Sequence, residues 1–156
     1  LEKNQIRFDA ELVVEGDYTQ LSGVNGAVKL LSLPDPPTAI FASNDVMAFG
    51  VMEAAHARNL RVPQDLSLVG FDDVPMASWT QPRLTTVRQP LVEMGRLATK
   101  LLLQTLEDSE HRQQGITVPA ELLVRQSTAP LGAGSGTAIG PVVGAAVVAE
   151  VVQEVA

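Results

Sequence analysis

The chain has 156 residues and a mass of 16.6 kDa, which is enough for one domain with a buried core and short for two. Hydrophobic residues make up 46% and charged residues 19%, so the composition indicates a globular protein and excludes a disordered one. The net charge of -7 argues against direct contact with nucleic acid, and the absence of cysteine excludes disulfides, thiolate metal sites and a cysteine nucleophile.

The first third of the chain predicts a strand, a helix and a second strand. Residues Ala10–Val14 form a short apolar run, and the sequence EGDYT then leads to a helix that Thr19 is placed to cap. The apolar residues at helical spacing, and so the predicted buried face, are Leu21, Val24, Val28 and Leu31. Prolines at 34, 36 and 37 end this helix, and Thr38–Ala42 has the length and apolar character of a strand.

A second helix is predicted from Val46 to Arg58, with Asn59 as its C-terminal cap. Its predicted buried face consists of Met47, Ala48, Val51, Ala54 and Ala55. The continuous apolar run Leu66–Phe71 then predicts a strand covered on both faces. Strand and helix alternate throughout, so we predict an α/β fold with a parallel sheet and flanking helices.

The second half is less regular. A short strand at Leu84–Arg88 precedes a helix at Leu91–Leu106, whose apolar stripe needs a partner surface. Residues Thr117–Arg125 predict a last strand, and Pro119 favours an edge position for it. The segment Leu131–Ala149 is uncharged and rich in glycine, which predicts a flexible linker followed by a valine-rich helix or strand from about Val142.

Polar side chains follow two successive predicted strands. Asn44 and Asp45 close one strand, and Asp72 and Asp73 close the next. In open α/β sheets small ligands bind at the carboxyl ends of the strands. Two such pairs favour a ligand site that includes Asn44 and Asp72, with Asp45 and Asp73 in structural roles. The alternative is that all four only cap helices or form turns.

An enzyme or a metal site is a second hypothesis for the same acids. Asp45, Asp72 and Asp73 together with His56 could form a hydrolase site or bind a divalent cation. His56, however, falls off the apolar face of its helix, and His111 lies in a polar loop, so both are expected to face solvent. The sequence has no phosphate-binding glycine loop, serine nucleophile elbow or metal-spaced histidine pair. We therefore expect no enzymatic activity, no metal and no cofactor.

Four motifs resemble the effector-binding domain of the LacI/GalR family of bacterial transcription regulators. They are PTAIFASNDVMAFGVMEAA, VPQDLSLVGFDDV, PRLTTVRQP and PAELLVRQST, in the order and approximate spacing of that family. The resemblance runs from about Leu1 to Thr128. It implies part of a type I periplasmic-binding-protein fold, in which two α/β lobes hold a small-molecule effector between them.

The resemblance also implies roles for individual residues. Asn44 and Asp72 match positions that hydrogen-bond the effector, and Leu91 matches a position that packs against it. The stretch that contains Met76, Trp79 and Thr80 matches a region near the subunit interface of a homodimer. The alternative for Trp79 is an ordinary place in the core.

The domain organisation follows from the same comparison with the family. Residues 1–130 correspond mostly to the C-terminal lobe of the effector-binding domain, and the helix at 91–107 is expected on the N-terminal lobe. By this resemblance, the helix-turn-helix, the hinge and the first lobe are expected to lie outside this chain, and the first strand of the second lobe is expected to be missing from it. The tail at 131–156 has no counterpart, and one hypothesis is that it covers the apolar helix face.

The function that the resemblance implies is the effector-binding and dimerisation part of a cytoplasmic LacI-type regulator, which senses a sugar or related molecule. Operator DNA would be bound only through an N-terminal domain absent from this chain, and no membrane partner is expected. The alternative is a periplasmic sugar-binding protein of an ABC transporter.

Overall fold

The computed structural model describes residues 8–107 and 115–130 and the backbone of residues 145–149. The interpretations of His111, of 131–144 and of 150–156 therefore lie outside the described residues. The helices and strands, in chain order, are β1 (Val13–Glu15), α1 (Gln20–Leu30), β2 (Ala39–Ala42), α2 (Asp45–Ala57), β3 (Ser67–Asp72), β4 (Thr85–Arg88), α3 (Leu91–Glu107), β5 (Glu121–Leu123) and β6 (Ala145–Ala149). Two short 3-10 turns, Ala10–Leu12 and Pro75–Ser78, accompany them.

These strands form one six-stranded sheet in the order β1-β6-β2-β3-β4-β5. Every neighbouring pair is parallel except β4 and β5, which are antiparallel. The α/β fold with flanking helices is thus confirmed, although the sheet is mixed rather than wholly parallel. β5 lies at the edge, as Pro119 predicts, because a proline cannot donate to a central ladder.

Helices α1 and α2 pack so closely that their backbones touch. A Cβ atom added at Gly23 would lie 2.8 Å from the carbonyl carbon of Met47 and closer still to its oxygen. The predicted face of α1 was therefore wrong in part, since Leu21 is 67% exposed and Val28 38% exposed. The residues that α1 buries are Gly23, Gly26, Ala27 and Leu30.

The buried face predicted for α2 is confirmed, and it forms the centre of the core. All five residues of that face are at most 2% exposed, and they pack with Ile40 of β2 and Leu68 of β3. Asn59 follows the helix with a φ of 56°, the left-handed conformation expected just beyond a helix end. The α2 helix is thereby held firmly against the sheet, with its N-terminus at the carboxyl ends of the strands.

The last helix and the described part of the tail do not support the hypothesis that the tail covers the helix. Apolar side chains of α3 are exposed, among them Val92 at 89% and Leu106 at 73%. Residues 145–149 form a strand inside the sheet. The hypothesis that the tail covers α3 is thus wrong for those residues. Among the described residues, no helix is long and apolar enough to cross a membrane.

Candidate functional site

Asn44 and Asp72 lie at the same level of the sheet, at the carboxyl ends of two neighbouring strands. Strands β2 and β3 are parallel, and Phe41 is the register partner of Val69. Asn44 and Asp72 each come three residues after that pair. Neighbouring strands are about 4.8 Å apart, so the chain brings an amide and a carboxylate to one edge. Whether they bind a ligand stays a prediction.

Asn44 has a structural role that leaves part of its amide available. Its Oδ1 accepts a hydrogen bond of 2.7 Å from the backbone N–H of Met47, which caps the first turn of α2. Its Nδ2 donates to the backbone carbonyl of Tyr18 at 3.1 Å. An asparagine amide offers two donor hydrogens and two acceptor lone pairs, so capping leaves one of each for a ligand.

Asp72 lies in a strained turn. Its φ is 109° and that of Asp73 is 56°, two successive non-glycine residues in the positive range that L-residues avoid. Such positions cost about 1–3 kcal/mol each and gather at ligand sites, where the surrounding contacts maintain them. The Oδ1 of Asp72 accepts a 2.7 Å hydrogen bond from Gln89 Nε2, which orients this half-buried carboxylate.

Asp45 is buried, and both of its carboxylate oxygens accept hydrogen bonds within the fold. Its side chain is 0% exposed, and it accepts hydrogen bonds from the hydroxyl of Thr86 at 2.5 Å and from the backbone N–H of Val74 at 2.8 Å. Burial raises the pKa of Asp45, and these two hydrogen bonds partly offset that rise. Gly70 leaves room for the Asp45 carboxylate because it has no side chain, and a Cβ at this position would collide with that carboxylate. Asp45 therefore anchors the loop after β3.

Asp73 is held by two arginines. Arg125 Nη2 lies 2.5 Å from Asp73 Oδ1, and Arg88 Nε lies 2.7 Å from Oδ2. Partial burial would raise the pKa of Asp73, but the hydrogen bonds from Arg125 and Arg88 outweigh it and lower the pKa below 3.8. The structural roles expected for Asp45 and Asp73 agree with these contacts, and both acids hold the strained turn that carries Asp72.

Two further residues at this edge were not identified from the sequence. Tyr18 follows β1, has a φ of 64° and is 43% exposed beside Asn44. Gln89 follows β4 and contacts Asp72. The available signal for Tyr18 was the polar turn EGDYT directly after a strand. The signal for Gln89 was its place directly after the predicted strand that ends at Arg88. Arg88 is the register partner of Asp72, so Gln89 follows β4 beside Asp72.

The remaining predicted residues lie at the surface of the chain. Leu91 begins α3, three residues after Arg88, and is 61% exposed. Met76 and Trp79 are 53% and 73% exposed, and Thr80 is half-buried. The alternative that Trp79 is a core residue is therefore wrong within the described part of the chain.

His56 does not join the acids. It lies in the last turn of α2, eleven residues after Asp45, which at 1.5 Å per residue places it about 16 Å away. It is exposed, as expected, and lines a cavity of about 470 Å³ at the opposite edge of the sheet, near Arg61 and Pro82. Neither Asn44 nor Asp72 lines that cavity. Within the described ranges, no three histidine or acidic side chains are grouped to hold a metal ion.

The sequence matches the periplasmic binding protein-like domain family over residues 1–128, and the chain belongs to this family. The resemblance to LacI-type regulators is also confirmed. The chain is 40% identical over 125 residues to the probable HTH-type transcriptional repressor ExuR of Bacillus subtilis (strain 168), covering 80% of this chain and 38% of that protein. It is 39% identical over 126 residues to the HTH-type transcriptional repressor CytR of Escherichia coli (strain K12), covering 81% and 37%.

A solved structure agrees with this assignment. The transcriptional regulator CelR–cellobiose complex superposes with a TM-score of 0.74 at 33% sequence identity, covering 81% of this chain and 38% of that one. The chain thus spans less than two fifths of the length of these relatives. All three are named as transcriptional regulators rather than enzymes, which favours a regulator over a transport protein.

Proposed function

We propose that this chain is the effector-binding and dimerising part of a LacI-type, DNA-binding transcriptional regulator of the cytoplasm. The observation that carries the proposal is the shared level of Asn44 and Asp72 at the carboxyl ends of two adjacent parallel strands. A net charge of -7 is unsuited to contact with DNA, so operator binding is assigned to an N-terminal domain outside this chain.

The effector is proposed to be a neutral polyhydroxylated molecule such as a sugar. Asp72 offers a carboxylate that accepts hydrogen bonds, and Asn44 offers one free donor and one free acceptor after capping α2. Vicinal hydroxyl groups both donate and accept, so they match this pair. The similar CelR structure contains cellobiose, which supports the same class of ligand.

The remaining contacts to the effector are proposed to come from an N-terminal lobe, with α3 packed on it. The exposure of Leu91, Val92 and Leu106 supports this placement, because large apolar side chains grouped on one helix indicate a surface that another element covers. Effector binding would then stabilise one arrangement of the two lobes over another, and this difference changes the affinity for operator DNA. No covalent chemistry is needed.

The homodimer is proposed to form through Met76, Trp79 and Thr80. Trp79 is 73% exposed next to Met76, which is 53% exposed. Exposed tryptophan and methionine are enriched in protein interfaces, where a buried tryptophan often contributes most of the binding energy. The 3-10 turn Pro75–Ser78 presents this pair on a fixed backbone.

The effector site is tested by thermal-shift titration with cellobiose, ribose and a set of nucleosides. The proteins are this chain and any longer natural protein that contains it. Asp72→Asn removes the charge of the proposed ligand contact, and Asn44→Ser keeps a capping oxygen while it removes the amide donor. Asp35→Asn, at an exposed position away from the site, is the matched control.

We expect a ligand-induced stabilisation that Asp72→Asn and Asn44→Ser reduce and Asp35→Asn leaves unchanged. The proposal is wrong if the best ligand stabilises the Asp72→Asn and Asn44→Ser proteins as much as the unmodified one. A loss of basal stability in Asn44→Ser does not affect this comparison, because each variant is measured with and without ligand.

A further inference from the structure

Strands β1 and β2 are not paired with each other but are separated by the width of one strand. We call the position between them the strand slot, and its two walls are Val13–Glu15 and Ala39–Ala42. Residues 145–149 lie in it, parallel to both neighbours. Val147 is the register partner of Val13 on one side and of Phe41 on the other. With strands about 4.8 Å apart, β1 and β2 are separated by about 9.6 Å, too far for them to hydrogen-bond directly.

The two walls of the slot are held in place by contacts that do not involve β6. α1 connects the walls in sequence and packs backbone to backbone on α2 through Gly23. The Asn44 side chain, just after β2, donates to the carbonyl of Tyr18, just after β1, at 3.1 Å. Gln20 of α1 also donates to Glu53 of α2 at 2.9 Å. The slot is thus pre-organised to receive a strand.

The position favours an apolar segment. A strand in this slot has neighbours on both sides, and the adjacent β2 alternates half-buried and buried residues. Strands inside helix-flanked parallel sheets are uncharged and rich in β-branched residues. The segment Ala145–Ala149 reads AAVVA, and no charged residue occurs between Leu131 and Ala149. Its backbone N–H and C=O groups also satisfy those of β1 and β2, which would otherwise lack partners.

Residues 131–144, which connect the segment to the rest of the chain, are long enough that they do not force it into the slot. Before the tail, the chain is bound at the start of β3, where the Ala129 N–H donates to Ser67 Oγ at 3.2 Å. Ser67 is the register partner of Ala39, and Ala39 is that of Ala145, so Ala145 lies about two strand spacings, roughly 10 Å, from Ser67. Residues 131–144 can span up to about 46–50 Å when fully extended.

We propose that the strand slot is a binding site for one parallel, uncharged, apolar strand, and that residues 145–149 of the same chain fill it. The segment binds through the slot itself, so it stays bound when its covalent connection is cut. This proposal does not depend on the identity of the effector or on DNA binding.

The first test uses engineered cysteines in the full chain, which has none of its own. Val14 and Val148 are register partners, so Val14→Cys with Val148→Cys places the two Cα atoms within disulfide range. The control pairs Val14→Cys with Ala146→Cys, two residues out of register and about 8 Å apart, beyond the range that a disulfide bridges. After mild oxidation, non-reducing gels separate crosslinked monomer from covalent dimer.

We expect most of the in-register protein to shift to the crosslinked monomer and the control protein to stay unshifted. Equal crosslinking of both proteins, or none in either, would overturn the proposed slot. Covalent dimer as the main product would overturn the assignment of the segment to the same chain and would indicate exchange between two copies.

The second test cuts the connection. A protease recognition sequence is inserted between Gly136 and Thr137 of the full chain, and the cleaved protein is run on size-exclusion chromatography. We expect both fragments to elute together. Val147→Pro removes a backbone donor in the middle of β6 and should separate them, whereas Ala138→Pro, outside the strand, should not. Separation of the fragments without any substitution would refute the proposal.

Discussion

The contact between α1 and α2 predicts that Gly23→Ala is destabilising although alanine is the better helix former. The new Cβ would lie 2.8 Å from the carbonyl carbon of Met47, and an ordinary carbon–carbon contact is about 3.5 Å or more. The helices must therefore separate by roughly 0.7 Å or more. Overpacking costs about 1–3 kcal/mol, and we expect about 3 because backbone rather than a movable side chain opposes the methyl group.

The gain in helix propensity opposes this cost. Replacing a glycine inside a helix by alanine contributes about 1 kcal/mol, so the net change for Gly23→Ala is a loss of about 2 kcal/mol. Gly95→Ala is the matched control, because Gly95 also lies inside a helix and its added Cβ would meet no atom within 4 Å beyond its chain neighbours and the local backbone of its own helix. This control should be neutral or stabilising by up to about 1 kcal/mol.

Urea unfolding followed by far-ultraviolet circular dichroism measures both free energies. The expected result is a lower unfolding midpoint for Gly23→Ala and an equal or higher one for Gly95→Ala, with unchanged slopes. If Gly23→Ala were as stable as the unmodified protein, the backbone contact between α1 and α2 would be refuted.

The other predictions concern Asp45, Asp73 and Trp79. Asp45→Ala leaves the Thr86 hydroxyl and the Val74 N–H buried without an acceptor, which should cost about 2–5 kcal/mol in urea unfolding. The folded-state pKa of Asp73 lies below 3.8. The ionised Asp73 therefore stabilises the folded protein fully above that pH, and this contribution is lost as the pH falls through the folded-state pKa. Asp73→Asn should flatten the acid limb of a plot of unfolding free energy against pH. Trp79→Ala should weaken the proposed dimer by about 2 kcal/mol in sedimentation equilibrium, and an unchanged dimerisation constant would contradict that interface.

Much of the fold could be predicted because apolar runs and chain breakers are local signals. The prolines at 34, 36 and 37, for example, end the first helix region whatever the rest of the chain does. The face of α1 could not be predicted in full, because Leu21 and Val28 are more hydrophobic than the glycines that actually make the contact. Close approach of two helices depends on the partner helix, and Met47 is distant in sequence.

The candidate site shows the same division between local and long-range information. Asn44 and Asp72 could be selected because each follows a strand, but Gln89 could not, since its contact depends on β4 being the neighbour of β3. The place of β6 was also beyond prediction. A long connection does not specify a register, and the segment from Val142 suited a helix or a strand equally.

The central claim is that a small polar molecule binds at the carboxyl ends of β2 and β3. It is tested most directly by titrating the isotope-labelled chain with cellobiose and with ribose while following backbone amide signals by NMR. We predict shifts that are largest at Tyr18, Asn44 and Asp72, with His56 and Arg61 at the opposite edge unchanged. Shifts confined to the cavity near His56, or the absence of shifts with either sugar, would contradict the claim.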